Sequence, residues 1–168
     1  INKNHNGKKV YLIGTNSLRG ELIGSGINIT ENDADIVLLS YDTELTYDKL
    51  AKGCRLIKGG AIYISTHPDI NCPSEIGLLP DAGSFMELIK ASTNKSCDII
   101  CGKPYNIMAK YISNKLNVSP ENIAMVGDRL STDILFANNN GFESVLVLLG
   151  ETDLKNYEDS NIKADCVF

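Results

Sequence analysis

The chain has 168 residues, 43% of them hydrophobic, so it can bury one sizeable core or two small ones. Its net charge of −5 and its scattered basic residues exclude a typical nucleic-acid-binding surface. No apolar run approaches the ~20 residues that would span a membrane, and the polar N-terminus has no signal segment, which predicts a cytoplasmic protein. Five cysteines without a CxxC pair predict neither a disulfide framework nor a zinc site.

Short apolar runs of the β type alternate with helical patterns, which predicts an α/β protein with a mainly parallel sheet. In the first half, strands are predicted at 10–13, 36–39 and 61–65. Helices are predicted through Leu18, Leu22 and Ile23, from a Thr46 cap to Gly59-Gly60, and on the face that carries Phe85, Leu88 and Ile89. The proline-rich segment 66–82 is predicted to be a long functional connection.

A second series of strands and helices is predicted to begin at Asp98-Ile99-Ile100. Pro104 is expected at a first helical position, and Gly141 at the end of the helix that follows Asp133. We place a boundary near Ser96, which divides the chain into domains 1–96 and 97–168. The second domain offers only about four strands.

Two short motifs follow apolar strands in the second half. They are Cys101-Gly102-Lys103-Pro104 and Gly127-Asp128-Arg129-Leu130-Ser131-Thr132-Asp133. Because ligands in open α/β sheets lie beyond the carboxyl ends of strands, Lys103, Asp128 and Asp133 are candidate site residues. One lysine and two carboxylates can hold a phosphate and a divalent cation, but none of them can attack phosphorus.

The charges of these residues predict a bound cation. Two carboxylates about 4 Å apart repel by about 4 kcal/mol at an effective dielectric constant of 20, which exceeds the ~0.3–1 kcal/mol that a helix N-terminus offers Asp133. Mg²⁺ or the Lys103 ammonium group could supply the positive charge. In the alternative interpretation, Asp128 and Asp133 only cap a helix and Lys103 is a surface charge. The order of the two motifs, both at strand ends, favours a shared site.

The sequence Gly102-Lys103-Pro104, followed about two dozen residues later by GDRLSTD, resembles motifs III and IV of the haloacid dehalogenase (HAD) superfamily, in its NagD-like subfamily IIA of phosphatases. Residues 65–73 and 79–84 resemble the cap segment of that subfamily, and residues 9–14 resemble the strand that opens the cap. The resemblance implies an α/β C2-type cap domain followed by the C-terminal part of a HAD-like Rossmannoid core.

The same resemblance implies a role for each motif residue. Lys103 would neutralise the phosphoryl group, Asp128 would ligate Mg²⁺, and Asp133 would support Lys103 or the surroundings of the metal. The family's nucleophile is an aspartate in a DxDG-type motif, which this sequence lacks. We therefore expect a chain that begins at the cap, and a Mg²⁺-dependent phosphatase of small phosphomonoesters, such as sugar phosphates or 4-nitrophenyl phosphate, that has no turnover as this chain alone.

Two acidic pairs imitate the missing motif. Asp33 and Asp35 have the right spacing but precede their strand, so their carboxylates are expected at the wrong end. Asp42 and Glu44 follow that strand, but the glycine and the second aspartate of the motif are missing and the resemblance places them in the cap. Neither pair is predicted to be the nucleophile.

His67 and Asp69 are candidate substrate-binding residues, because the resemblance implies a cap that lowers this loop over the phosphate site. The alternative is an ordinary solvated loop. Arg129 could contact the substrate, but the favoured interpretation is an ion pair at the surface or between the domains. The expected partners are a small phosphorylated metabolite and, through the cap, a second copy of the chain.

Two other functions remain open at this point. A non-catalytic binding or dimerisation module could be built from the cap. A receiver-like phosphoacceptor domain also uses clustered aspartates and a lysine, but it has them in the reverse order, so it ranks last.

Overall fold

The computed structural model describes His5 and residues 7 to 168, so most of the polar start of the chain lies outside the described residues. The chain divides into two compact units, Ile1–Ile100 and Cys101–Phe168, which we call the N-terminal and C-terminal units. None of the helices in the described part has the length and apolar character needed to cross a membrane. The α/β class with parallel sheets is confirmed.

The N-terminal unit is built on a parallel five-stranded sheet and a separate hairpin. Its strands are β1 (Lys9–Ile13), β2 (Asn28–Ile29), β3 (Ile36–Leu39), β4 (Ile62–Ser65), β5 (Asn71–Ser74), β6 (Gly77–Pro80) and β7 (Ile99–Ile100). The order in the sheet is β2-β1-β3-β4-β7. Every residue of β3 is buried, as a continuous apolar run in the middle of a parallel sheet requires.

The described part of the unit has three helices, α1 (Asn16–Gly24), α2 (Tyr47–Lys58) and α3 (Ala82–Thr93). Each begins at a side-chain cap. Thr15 accepts from the Leu18 N–H, and Thr46 accepts from the Lys49 N–H at 3.2 Å. Asp81 caps α3 by accepting from the N–H of the next residue. The predicted helices of the first half are therefore confirmed.

The proline-rich segment 66–82 contains more structure than predicted. Strands β5 and β6 pair antiparallel, with Cys72 opposite Leu79 and Ser74 opposite Gly77. Pro73 and Pro80 argue against strands, because proline has no backbone N–H to donate to a neighbouring strand. Both strands of a two-stranded ribbon are edge strands, however, and proline is tolerated there. The sequence analysis predicted a long connection here and did not predict this hairpin.

The C-terminal unit has a parallel three-stranded sheet in the order β10-β9-β8. Its elements are α4 (Asn106–Leu116), a 3₁₀ turn (Pro120–Asn122), β8 (Ala124–Gly127), a π-helical turn (Leu130–Ile134), α5 (Leu135–Asn140), β9 (Glu143–Leu146), α6 (Leu154–Asp159) and β10 (Cys166–Val167). Phe136 and Phe142 meet edge to face at 5.6 Å between ring centroids, and Ala109 packs with them in the core. Gly141 ends α5 at φ 71°, as predicted.

Two details of the second half differ from the prediction. Ile99 and Ile100 do not begin a second series, because they pair in parallel with β4 and complete the sheet of the N-terminal unit. The units accordingly divide after Ile100 and not at Ser96, and the described C-terminal unit has three strands. Pro104 lies in the turn before α4, which begins at Asn106.

An aspartate stands immediately before three of the parallel strands. The carboxylate of Asp35 accepts the backbone N–H of Lys9 in the neighbouring strand at 2.8 Å, and that of Asp98 accepts the N–H of Tyr63 at 2.7 Å. In the C-terminal unit, the carboxylate of Asp165 accepts the N–H and the hydroxyl of Ser144, both at 2.8 Å. These hydrogen bonds lower the pKa of the Asp35 and Asp165 carboxyls below the ordinary value of 3.8.

Candidate active site

The structure brings Lys103 and Asp133 into direct contact within the C-terminal unit. Lys103 lies in the turn before α4, and Asp133 lies in the π-helical turn that follows β8. The Lys103 Nζ to Asp133 Oδ1 distance is 2.5 Å, and only 5% of Asp133 is exposed. The other carboxylate oxygen accepts the Arg129 N–H at 3.2 Å. Asp133 therefore holds the ammonium group from a fixed, almost buried position.

Asp128 is fixed by a different segment of the same unit. It directly follows β8, and its Oδ2 accepts the backbone N–H of Glu151 at 3.0 Å. The Glu151 carboxylate also pairs with the Arg129 guanidinium group, as the prediction of an ion pair for Arg129 required. The segment after β9 thus positions the predicted metal ligand, and the sequence analysis did not identify Glu151.

Two glycines allow the carboxylates to approach the backbone closely. A Cβ atom on Gly127 would overlap the Asp133 side chain, and a Cβ atom on Gly150 would overlap the Asp128 carboxylate. Gly127 was visible in the motif, but the role of Gly150 depends on the pairing of β8 with β9. Larger side chains at these two positions would displace the acidic groups of the site.

A buried hydroxyl lies in the same π-helical turn as Asp133. Thr132 Oγ1 is inaccessible to solvent and has no hydrogen-bond partner among the described residues. Buried polar groups are rarely left without a partner, so the turn that carries Asp133 also contains an unused hydrogen-bonding group.

Cys101, the first residue of the lysine motif, does not supply the missing nucleophile. Burial raises the pKa of the Cys101 thiol above its ordinary value of 9.0, so the thiol is protonated near neutral pH. A thiol is a much weaker nucleophile than a thiolate.

Asp35 and Asp42, one from each acidic pair that imitates the nucleophile motif, have structural roles. Asp35 lies at the start of β3, the end opposite to a catalytic position, as predicted. Asp42 is buried, and its Oδ2 forms an ion pair with Lys49 Nζ at 2.9 Å. Its other oxygen accepts the Glu44 N–H at 2.9 Å. A carboxylate committed to these partners is stabilised as a local anchor of the loop.

His67 and Asp69 belong to the N-terminal unit, on the loop after β4. His67 Nε2 lies 2.8 Å from Asp81 Oδ1, and His67 Nδ1 lies 2.8 Å from Thr66 Oγ1. One ligand atom each of His67, Asp69 and Asp81 lie within 4.8 Å of one another. The sequence analysis missed Asp81, although an aspartate before Ala82 and a helical apolar pattern is a recognisable N-cap.

Among the described residues, only His67, Asp69 and Asp81 form a group of three or more His, Cys, Asp or Glu side chains that are close enough to share an ion. Asp128 is outside it. A Mg²⁺ ion needs only one or two protein carboxylates, since it keeps several water ligands, so Asp128 fits a partial Mg²⁺ site.

Comparison with known proteins places the C-terminal unit in a known family and finds relatives of almost the whole chain. The profile of a family described as HAD-hydrolase-like matches residues 100–168, which include Lys103, Asp128 and Asp133. The solved structure of a 4-nitrophenylphosphatase from Thermotoga maritima shares 45% sequence identity and superimposes with a TM-score of 0.96. The match covers 99% of this chain and 64% of that one.

Residues 100–168 form a HAD-like hydrolase domain. Its homologues in this family are NagD-like phosphatases. The 5'-nucleotidase YutF of Bacillus subtilis is 35% identical over 150 residues, which are 89% of this chain and 58% of the relative. The acid sugar phosphatase of Staphylococcus aureus is 33% identical over 163 residues, which are 96% of this chain and 62% of the relative. This HAD-like chain therefore spans about three fifths of the length of the curated relatives that it matches.

Proposed function

We propose that the protein is a Mg²⁺-dependent HAD-like phosphatase that hydrolyses small phosphomonoesters of the sugar phosphate or 4-nitrophenyl phosphate type. The contact between Lys103 and the buried Asp133 is the observation that carries the proposal. The names of the homologues support the substrate class. The cytoplasmic location remains a prediction from the sequence.

In this proposal, Lys103 neutralises the negative charge of the phosphoryl oxygens. Charge stabilisation of this kind is most effective when the charged group is fixed before the reaction. Asp133 provides that fixation, because one of its oxygens contacts the ammonium group and the other accepts the Arg129 N–H. The two further N–H donors of the ammonium group can then serve a phosphate.

Asp128 is proposed to donate one carboxylate oxygen to Mg²⁺. The bound ion would supply charge neutralisation at the phosphoryl group. The Glu151 N–H keeps the Asp128 carboxylate oriented, and Gly150 leaves room for it.

His67 and Asp69 are proposed to contact the substrate beyond its phosphate. The sequence contains no DxDG-type nucleophile motif, so the 168-residue chain by itself is proposed to bind phosphate without turnover.

Phosphate binding tests the proposal directly. Inorganic phosphate titrated into the chain in the presence of Mg²⁺, followed by calorimetry, should bind at least about tenfold more weakly to Lys103→Ala, because a hydrogen bond to a charged group contributes about 1.5–3 kcal/mol. The matched control is Lys110→Ala, an exposed lysine of α4. Equal affinities for the two variants would contradict the role of Lys103.

Turnover is a separate test. The chain should not hydrolyse 4-nitrophenyl phosphate in the presence of Mg²⁺. Hydrolysis that is abolished by Lys103→Ala would show that the chain holds a complete active site and that the proposed inactivity is wrong.

A dimerisation module is the second candidate function, and the hairpin favours it. Ile76 is 87% exposed at the tip of the hairpin and Leu78 is 68% exposed, and Ile70 at the base of the hairpin is also exposed. Exposed apolar groups of this kind mark contact surfaces. We propose that a second copy of the chain covers them. Sedimentation should show a dimer that Ile76→Lys dissociates, and a monomer at high concentration would count against this function.

A further inference from the structure

We propose that His67, Asp69 and Asp81 form a binding site for a divalent transition-metal ion in the N-terminal unit. The site is distinct from the Mg²⁺ ligand Asp128 and does not depend on the proposed phosphatase activity. An ion bound there would occupy His67 and Asp69, so any contact of these two residues with the substrate would then be made through the ion. One ligand atom from each of the three side chains lies within 4.8 Å of the other two. The donor set is one imidazole nitrogen and two carboxylate oxygens. Such a set suits Zn²⁺ or Mn²⁺ better than Mg²⁺, which prefers oxygen ligands alone.

The hydrogen bonds around His67 leave its Nε2 atom facing a carboxylate. His67 Nδ1 lies 2.8 Å from Thr66 Oγ1, which is also in contact with Ser40 Oγ at 3.2 Å. When Nδ1 carries the proton and donates it to Thr66, Nε2 of the neutral ring directs a lone pair towards Asp81 Oδ1, 2.8 Å away. A metal ion would bind between these two atoms in that tautomer.

The distances agree with shared coordination of one ion. Neighbouring ligand atoms that each lie about 2.1 Å from a metal are about 3 Å apart, close to the separation of His67 Nε2 and Asp81 Oδ1. Ligand atoms on opposite sides of the ion are about 4.2 Å apart, so the 4.8 Å spread of the group must contract by about half an ångström. Asp69, which lies partly exposed on the loop, can supply this shift.

The surroundings of His67 are those of a metal-ligating histidine. Such residues usually donate their second ring N–H to a neighbouring acceptor, which fixes the tautomer and the ring orientation. Thr66 Oγ1, 2.8 Å from His67 Nδ1, is in position to be that acceptor. Ser65 Oγ, buried at the end of β4, also donates to the His67 carbonyl oxygen at 2.9 Å and fixes the backbone of the ligand.

The backbone brings the two aspartates together before any ion binds. The Gly83 N–H donates to the Asp69 carbonyl oxygen at 2.8 Å, and the Asp81 N–H donates to the Ile70 carbonyl oxygen at 2.9 Å. A Cβ atom on Gly83 would overlap the carbonyl oxygens of Pro68 and Asp69. The loop therefore lies directly on the first turn of α3, so little ordering of the backbone is required when the ion binds.

The charge of the group also favours a cation. Two carboxylates at this separation repel by a few kcal/mol at an effective dielectric constant of about 20. Asp81 is only 6% exposed, so water screens its charge poorly. A divalent ion neutralises both carboxylates, whereas a single proton on His67 neutralises one.

Zn²⁺ binding observed at the histidines tests the site. The chain contains two histidines, His5 and His67, so the imidazole nitrogen signals of ¹⁵N-labelled, tag-free protein report on each separately. Zn²⁺ should shift the Nε2 signal of His67 at a stoichiometry of one ion per chain. Ions bound by cysteines elsewhere would not move this signal.

The variants identify the remaining ligands. Asp69→Asn should weaken the binding seen at His67 at least about tenfold, and His67→Gln should abolish that component of Zn²⁺ binding. The control His5→Gln should leave the His67 shift unchanged. Circular dichroism without metal establishes that each variant is folded.

Three results would overturn the proposal. They are an unmoved His67 signal at millimolar Zn²⁺, a shift that is insensitive to Asp69→Asn in the folded variant, and a shift of His5 alone. Because no substrate enters the assay, failure of the metal site leaves the phosphatase proposal untouched, and the reverse also holds.

Discussion

Both units use short parallel strands, but their candidate site residues lie on very different sheets. Strand β3 of the N-terminal unit has a neighbour on each side and is buried along its whole length. Strand β8, which precedes Asp128, is the edge of its sheet among the described residues, and Val126 in it is 59% exposed. The difference shows that the motif of Asp128 and Asp133, which is proposed to serve the phosphate site, follows an edge strand, whereas the His67 loop follows β4, which has a neighbouring strand on each side.

Truncation of a core leucine should have the largest effect. Leu39→Ala in β3 should lower the free energy of unfolding of the N-terminal unit by about 2–5 kcal/mol, because it removes a fully buried side chain and leaves a cavity. Hydrogen exchange of amides in each unit is the appropriate measurement, since two units need not unfold together. Val126→Ala is the matched change in β8 and should alter stability by no more than about 0.5 kcal/mol.

A large loss in the second variant would show that Val126 packs in solution and that the contrast between the sheets is wrong.

A smaller effect is expected where β8 meets the site. Gly127→Ala places a methyl group against Asp133, so it should destabilise the C-terminal unit by about 1–3 kcal/mol and weaken phosphate binding. Gly20→Ala in α1 is the control with the opposite expected sign. Its methyl group would meet no neighbour within 4 Å, and alanine favours a helix interior by about 0.5–1 kcal/mol over glycine.

Both variants are compared by thermal unfolding and by phosphate titration. Unchanged phosphate affinity in Gly127→Ala would mean that Asp133 adjusts freely and does not fix Lys103.

The smallest predicted effect is on the stability of the C-terminal unit at acidic pH. The pKa of Asp165 is lowered by hydrogen bonds from Ser144, so its stabilising contribution is present above the ordinary value of 3.8 and is lost as the pH falls through the lower folded value. Asp165→Asn should therefore make the stability of the C-terminal unit less dependent on pH below about 4. Asp159→Asn, at the exposed end of α6, is the control.

An acid unfolding curve for Asp165→Asn as steep as that of the unmodified chain, measured by circular dichroism, would refute the contribution of this carboxylate.

Local patterns were enough to predict much of the fold. Strands β1, β3 and β4 and the capped helix α2 have strong apolar periodicity and clear boundary residues, and they form within about one residue of the predicted positions. Strand β7 was assigned to the wrong unit, because two isoleucines carry no information about which sheet they join. The hairpin was missed because its two prolines argue against strands in general and not against a two-stranded ribbon.

The charged residues of the candidate site could be predicted from the sequence, but the residues that hold them in position could not. The motif order indicated that Lys103 and Asp133 share a site, and their contact follows from it. The contact of Asp128 with the backbone of Glu151 depends on how β8 and β9 pair, and no local pattern encodes this. Asp81 lies fourteen residues after His67 in the sequence. The hairpin between them brings the chain back, so their contact could be found only from the structure.

The aspartates that precede β3, β7 and β10 have a consequence for how the strands align. A strand of two residues, such as β7 or β10, has too few ladder hydrogen bonds to specify its register strongly, and a slip by one residue would turn every side chain to the opposite face. A carboxylate that recognises one particular N–H of the neighbouring strand selects a single alignment before the remaining pairs form. An aspartate followed by apolar residues therefore marks the position just before β3, β7 and β10, and it helps to fix how each of these strands aligns with its neighbour.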